Sequence, residues 1–340
     1  MHKLLTLVIL ALIFIQTTTY PSQTFGDIDR PLFADPNYHG SCDPEIVWIE
    51  QTKEWWIFYT ARRAQRENAS YVGTPIGVVT SKDLKTWQFR GYCSFDGIPG
   101  APDMDVTLWA PGVIRNGDNY HMFVTYKDNA TPPWGGDGVI RHYIAPADNL
   151  LSGWTLAGIP NFQQPDPIDA TIIRHKKQFR AYYRVGKNGI QHSTSPDLKK
   201  WTNHGKCDGA VNAPPDERGF GYQEAPYVFH WKDKYWMITD PHKGLAVFHS
   251  PDGLTWTQQD SIMKAPGSAP SDATRARHPS VAIVNDRAFI FYHTEPNRPY
   301  PSPKAEDRTP HQKISYLQMA ELTIKDGQLT CDRDASVSLP

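Results

Sequence analysis

Three carboxylates in the 340-residue sequence stand at the head of apolar, strand-like runs: Asp43 in CDPEIVWIEQTKEWWIFYT, Asp169 in IDATIIRHKKQFRAYYR and Glu224 in QEAPYVFHWKDKYWMITD. Opposed carboxyl groups are what cleavage of a glycosidic bond requires. One protonates the leaving oxygen, and the other activates water or attacks the anomeric carbon, through an oxocarbenium-like transition state. A third acid nearby can orient the proton donor and raise its pKa by like-charge repulsion. Asp-Pro pairs are ordinary turn formers. Asp35, Asp166 and Asp240 are each followed by Pro but open no run of this kind, so they read as turns.

Acids this far apart in sequence meet only in an architecture that brings the starts of several strands to one place. Each run turns through a polar patch and returns as an aromatic strand. The same unit recurs without a carboxylate at Trp109 in TLWAPGVIRNGDNYHMFVTY and at His278 in RHPSVAIVNDRAFIFYHTE. The five markers stand 66, 60, 55 and 54 residues apart, a spacing that suits the blades of a β-propeller. The pairs Asn116-Gly117, Lys232-Asp233 and Asn285-Asp286 fall where hairpin turns would be. A second marker repeats late in the units: SKDLKTW ending at Trp87, SPDLKKW at Trp201, SPDGLTW at Trp256 and the degenerate PADNLLSGW at Trp154. Its Asp (Asp83, Asp197, Asp252) is expected to cap a turn and its Trp to pack between units. The expectation is an all-β, five-bladed β-propeller whose acids converge on one axis. Proline-rich stretches at 213–216 and 296–310 read as long surface loops that shape a pocket.

Basic and acidic residues number 35 and 36, a net charge of −1 without a long basic run, so no nucleic-acid partner is expected. Eleven Trp and 16 Tyr suit a propeller core, and also a sugar site, because aromatic faces stack on the C–H face of a sugar ring. The chain begins with His2 and Lys3, an apolar stretch from Leu4 to Ile15, and the small polar run Thr17 to Thr19. That reads as a signal peptide over residues 1–20, too short to span a bilayer, followed by a single propeller catalytic domain over 21–340. The mature chain is expected to be secreted or periplasmic, monomeric and without membrane insertion. Cys42, Cys93, Cys207 and Cys331 lack C-x-x-C spacing. They admit two disulfides in three pairings, or buried free thiols.

The order Asp43, then Trp109-Ala110-Pro111, Ile168-Asp169, Glu224-Ala225-Pro226 and His278 near the start of the last unit resembles glycoside hydrolase family 43. The resemblance runs from about Ser41 to Leu329. It implies a five-bladed propeller glycosidase of the β-xylosidase or α-L-arabinofuranosidase type, with Asp43 as general base, Glu224 as general acid, and Asp169 orienting that acid and tuning its pKa. Inversion is implied too, and with it a base-to-acid gap of roughly 6.5–9.5 Å. His278 would take the family's central-channel position, which in some members holds a water or a metal ion; a buried structural His is the alternative. Trp109 is expected to stack on the sugar or to pack in the core. Asp105 would bind a sugar hydroxyl or cap a strand. Arg277 and Arg298 are candidate contacts for an acidic or sulfated neighbouring sugar. The chain departs from the family pattern at Asp169-Ala170, where Asp-Pro is common, and at Arg277-His278-Pro279, where Gly-His is usual.

The expected function is therefore an exported, exo-acting, inverting β-xylosidase acting on plant- or algal-type oligosaccharides. An α-L-arabinofuranosidase or galactofuranosidase is the alternative within the family, and a non-catalytic carbohydrate-binding propeller is the alternative outside it. No cofactor is required, since carboxyl groups carry both proton transfers. A metal ion near His278 stays open.

Overall fold

The computed structural model describes residues 29–101, 104–215 and 219–339. The stretch read as an export signal lies outside the described residues. Five four-stranded antiparallel sheets follow one another along the chain. The first holds β1 (Ser41–Ile49), β2 (Glu54–Ala61), β3 (Ile76–Ser81) and β4 (Gln88–Tyr92). The second holds β5 (Thr107–Asn116), β6 (Asn119–Lys127), β7 (Val139–Pro146) and β8 (Thr155–Gly158). The third holds β9 (Pro167–His175), β10 (Gln178–Val185), β11 (Ile190–Ser195) and β12 (Thr202–Lys206). The fourth holds β13 (Glu224–Trp231), β14 (Lys234–Asp240), β15 (Leu245–Ser250) and β16 (Thr257–Ile262). The fifth holds β17 (Arg277–Val284), β18 (Arg287–Thr294), β19 (Tyr316–Lys325) and β20 (Gln328–Cys331). The first strands β1, β5, β9, β13 and β17 touch in cyclic order and line the axis. The chain is a five-bladed β-propeller.

The sequence explains this layering. Middle strands such as β2 (EWWIFYTA) and β3 (IGVVTS) are β-branched and aromatic and almost wholly buried, because neighbouring blades cover both faces. The outermost strands β4, β8, β12 and β16 are far less buried, and β12 (TNHGK) and β16 (TQQDSI) are mostly polar. Two-residue turns join β13 to β14 at Lys232-Asp233 and β17 to β18 at Asn285-Asp286, all four residues having positive φ as twisted hairpins demand.

The late marker does what its residues suggest. Asp83 accepts from the backbone N–H groups of Lys85 and Thr86 at 2.9 and 2.7 Å, and Asp197 and Asp252 repeat the motif. Each Trp then sets its edge against a ring of the neighbouring blade: Trp87 on Phe291, Trp154 on Phe58, Trp201 on Phe123 and Trp256 on Tyr182, with centroids 5.7–6.1 Å apart. The fifth blade has no such Trp, and the position equivalent to those rings in the fourth is aliphatic, Ile238. The ring closes without a shared strand. The segment before β1 pairs instead with β19 and the residue just before it, through Phe33–Leu317, Ser41–Ser315 and Ser315–His39 backbone bonds. All four cysteines are free thiols, Cys42, Cys93 and Cys207 buried and Cys331 half-buried.

Candidate active site

Every first strand carries a β-bulge at the same place, between Cys42 and Glu45, Trp109 and Gly112, Glu224 and Tyr227, Arg277 and Ser280, and in the third blade opposite Tyr182 to Arg184. The first bulged residue is left-handed each time: Asp43, Ala110, Asp169, Ala225 and His278, with φ of 44–56°. None is glycine, so each costs roughly 1–2 kcal/mol of backbone strain, concentrated around the axis. The bulge turns the N–H group of that residue toward the preceding blade. Ala110 donates to Thr60 Oγ1 (2.8 Å), Asp169 to Thr125 Oγ1 (3.1 Å), His278 to Asp240 Oδ2 (3.3 Å) and Asp43 to His293 Nδ1 (3.1 Å).

In those four interfaces the acceptor is the second-strand residue paired with the pre-bulge residue. In the third blade that residue is Arg184, which has no acceptor. Ala225 donates instead to the carboxylate of Asp169 at 3.2 Å, and Arg184 reaches Glu224 Oε1 at 2.9 Å. One substitution in a repeated hydrogen bond thus anchors one acid and frees a cation for another.

This alignment corrects the spacing read from sequence. Asp43, Asp169 and His278 are ring positions, but Trp109 and Glu224 each stand one residue ahead of theirs, Ala110 and Ala225. Glu224 therefore pairs with Asp240 across β13 and β14 and reaches the site by its longer side chain.

The three acids have different surroundings. Asp43 is buried, and Arg62 (3.3 Å), His278 (3.2 Å) and His293 (3.6 Å) surround its Oδ1. Burial disfavours its charge, but Arg62 and His278 prevail and hold its pKa well below the usual carboxylate range. Asp43 is an anion at any pH of interest. Asp169 is pushed up to about 6, first by burial and then by the charges of Glu224 and Asp43, against His278 and Arg184. Glu224 moves the other way: burial is outweighed by His242 and Arg184, which lower its pKa. The expected raised pKa of Glu224 is thus not a property of the ligand-free site, because two nitrogen donors hold its carboxylate. Burial and the neighbouring charges thus favour the protonated form at Asp169, while His242 and Arg184 favour the anion at Glu224.

His242 Nε2 lies 2.9 Å from Glu224 Oε2, while its Nδ1 faces Arg277 Nη2 at 2.8 Å. Arg277 can only donate, so Nδ1 accepts and Nε2 carries the hydrogen given to Glu224. Arg277 is in turn fixed by Asp240 (2.5 Å), which also accepts from the N–H of His242 (2.7 Å). Asp240 is therefore no surface turn: it is buried under the acid site. Asp35 and Asp166 do cap loops, accepting from Asn37 and Tyr38 and from Gly138.

His278 is half-buried against Asp43, whose charge and hydrogen bond raise its pKa against the effect of desolvation. With Asp169 it lines a narrow cavity on the axis, together with Glu45 and Tyr227. Burial pushes Glu45 up to about 8, so it is neutral there. Among the described residues no group of three or more His, Cys, Asp or Glu side chains is arranged to hold a metal ion.

Trp109 lies at the rim, its Nε1 donating to Tyr71 O (2.8 Å) and one face covered by Lys127 at 4.5 Å. The more open ring is its neighbour Trp134, 45% exposed and packed on Tyr71 at 4.8 Å. Asp105 sits exposed in the bend before β5. Arg277 and Arg298 are buried with their guanidinium groups committed to Asp240 and to Glu295, so neither is a free contact for a sugar. Arg62, Arg184, His242, His293, Asp240 and Glu295 are the site residues that sequence reading missed.

A strained ring of bulges presenting buried and half-buried, unequally charged carboxylates near the exposed ring of Trp134 defines a propeller built for acid–base chemistry on a sugar. The family profile of glycosyl hydrolases family 43 matches residues 43–240, a span that contains all three acids. The chain belongs to that family and is a glycoside hydrolase, with an oligosaccharide as its substrate. No curated protein sequence matches it. Solved structures share the fold. A thermostable family-43 glycoside hydrolase has 19% sequence identity and a TM-score of 0.59, over 90% of this chain and 98% of that one. The α-L-arabinofuranosidase of Lactobacillus brevis has 14% identity and a TM-score of 0.61, over 91% and 98%. A family-43 enzyme of Xanthomonas citri complexed with xylose has 14% identity and a TM-score of 0.58, over 91% and 94%.

Proposed function

We propose that this chain is an exo-acting, inverting glycosidase that releases a pentose, β-linked xylose first, from oligosaccharides outside the cytoplasm. The observation that carries the mechanism is the unequal charging of three acids gathered at the bulge ring. Asp43, anionic and held by Arg62 and His278, is suited to take a proton from the attacking water. Glu224 is the proton donor to the leaving oxygen, and Asp169, with its N–H and Oδ2 both anchored, supplies that proton. As substrate displaces solvent and loosens the His242 and Arg184 contacts, the proton held at Asp169 passes to Glu224. A water between Asp43 and the sugar then attacks the face opposite Glu224, which gives inversion.

The xylose reading is supported by solved relatives of the fold, an enzyme complexed with xylose and one described as a β-xylosidase. An α-L-arabinofuranosidase is the alternative. Export is supported by the apolar Leu4–Ile15 stretch. Turnover of nitrophenyl β-xyloside, α-arabinofuranoside and β-galactofuranoside tests the reading: the xyloside is expected to react fastest. Preference for another glycoside would displace xylose, and loss of all turnover on these and on natural oligosaccharides would leave a binding propeller.

A further inference from the structure

Four arginines from three segments gather around the buried carboxylate of Glu295, and three of them pair with it. Arg62 bridges Asp43 (3.3 Å) and Glu295 (3.4 Å), Arg277 bridges Asp240 (2.5 Å) and Glu295 (3.6 Å), and Arg298 binds Glu295 and Ser302. These three cations share three anions. The fourth, Arg308, is 5% exposed, and no carboxylate of the described residues lies within ion-pair distance. Its guanidinium donates to the Tyr71 hydroxyl (2.5 Å) and to Pro303 O (3.1 Å), both neutral. Burial, with the charges of Arg298 and Arg277, presses on its protonated form and outweighs the support it draws from Tyr71 and the more distant Glu295. A buried cation without a paired counter-charge is costly, and among the described residues Glu295, already shared by three other arginines, is the carboxylate that acts on Arg308 and does so from beyond ion-pair distance.

A second observation points the same way. In the same cluster His293 takes the N–H of Asp43 on Nδ1, so its hydrogen sits on Nε2, which is buried and without a partner. The surplus of donors lies on the wall of the sugar site, for Tyr71 also carries Trp134 on its ring and accepts from Trp109. The loop between β18 and β19, which brings Glu295, Arg298 and Arg308 inward, shapes this wall.

We propose that Arg308 is the centre of an anion subsite, and that the substrate carries a carboxylate or a sulfate ester on the sugar lodged beside Tyr71 and Trp134. This rests on the glycosidase reading above, with a charged residue in the oligosaccharide next to the bond cleaved. A charge-assisted contact in a desolvated site confers at least about tenfold preference over the neutral analogue.

Calorimetric binding of glucuronate against glucose, and of galactose 6-sulfate against galactose, tests it with the enzyme as it stands, with inorganic sulfate as a further ligand. A tenfold or greater advantage for either charged sugar, lost in Arg308→Gln and partly kept in Arg308→Lys, is the expected result, and the pair showing it identifies carboxylate or sulfate. Equal affinity for charged and neutral sugars, no binding of any sugar, binding of inorganic sulfate alone, or an advantage that Arg308→Gln leaves intact would overturn it. The wild-type comparison stands even if Arg308→Gln fails to fold. Charged-sugar binding without hydrolysis of any glycoside would refute the catalytic reading alone. Cleavage of neutral xylosides with no charged-sugar advantage would refute the anion subsite alone.

Discussion

The rim and the axis of this propeller use repetition in opposite ways. At the rim, four blades repeat a Trp whose edge meets an aromatic ring of the preceding blade, and three of them set it behind an Asp-capped turn. At the axis all five blades repeat the same geometry, a left-handed residue at a bulge, but fill it with Asp, Ala, Asp, Ala and His. Packing rewards identical partners, so the rim keeps its residues. Catalysis needs unlike groups facing one another, so the axis keeps the backbone and varies the side chains. The third blade shows the principle most sharply, since Arg184 in place of a hydroxyl transfers the interblade hydrogen bond to Asp169 and sets a cation against Glu224.

The contrast breaks most visibly when one region is altered at a time. Glu224→Gln at the axis is expected to lower kcat by about 10²–10⁴-fold while melting stays cooperative. Wild-type turnover in this variant would remove Glu224 from the chemistry. Trp201→Ala at the rim should do the reverse. The ring is buried against Phe123 and Phe162, so its loss costs about 3–5 kcal/mol of stability and leaves kcat/KM of the folded enzyme within a few-fold. Denaturant melts and steady-state rates on both variants check the pair.

The pH profile sharpens the axis further. Asp169 is protonated below about 6 and charged above, so the acid pair loses its proton as pH rises through that value, and kcat/KM should fall there. Asp169→Asn should remove this limb from the residual activity, and a wild-type rate unchanged through pH 6 would contradict the proton's placement.

A smaller effect belongs to the second blade. Burial holds His121 at about 4 and His142 at about 3, whereas unfolded histidines titrate near about 6.5. Between about 6.5 and 4 the unfolded chain therefore binds more protons, so stability falls as pH drops through that window and returns above it. His142→Phe keeps a ring on Phe123, where His142 stacks at 4.3 Å. Its melting temperature should depend less on pH than that of the wild type; equal slopes would clear the pair of this role.

Legibility in the sequence divides along the same line. The propeller and its rim were readable because packing repeats residue types, SKDLKTW and SPDLKKW being nearly the same words. Asp43, Asp169 and His278 were readable because each heads an apolar run. Glu224 was found one residue out of phase, since its acid looked equivalent to Asp43 while the bulge backbone makes Ala225-Pro226 the true counterpart of Asp43-Pro44. The Ala-Pro, Asp-Ala and His-Pro pairs one step on held that register. What escaped was the second strand's contribution. Thr60, Thr125, Arg184, Asp240 and His293 occupy one structural position with four residue types among five, and what they have in common is the task of receiving a neighbour's N–H, which the third of them cannot perform. Asp240 was further disguised as an Asp-Pro turn. Arg62, Glu295 and Arg308 come from loops whose inward fold leaves no periodic trace.

The central claim is that Asp43 and Glu224 act from opposite sides of the bond, the first through water and the second on the leaving oxygen. Proton NMR of the sugar at the first moments of hydrolysis tests it most directly. Release of the anomer opposite to that of the substrate, before mutarotation, is the result this account predicts. Release of the same anomer would mean a covalent double displacement, and would contradict the assignment of Asp43 as a base.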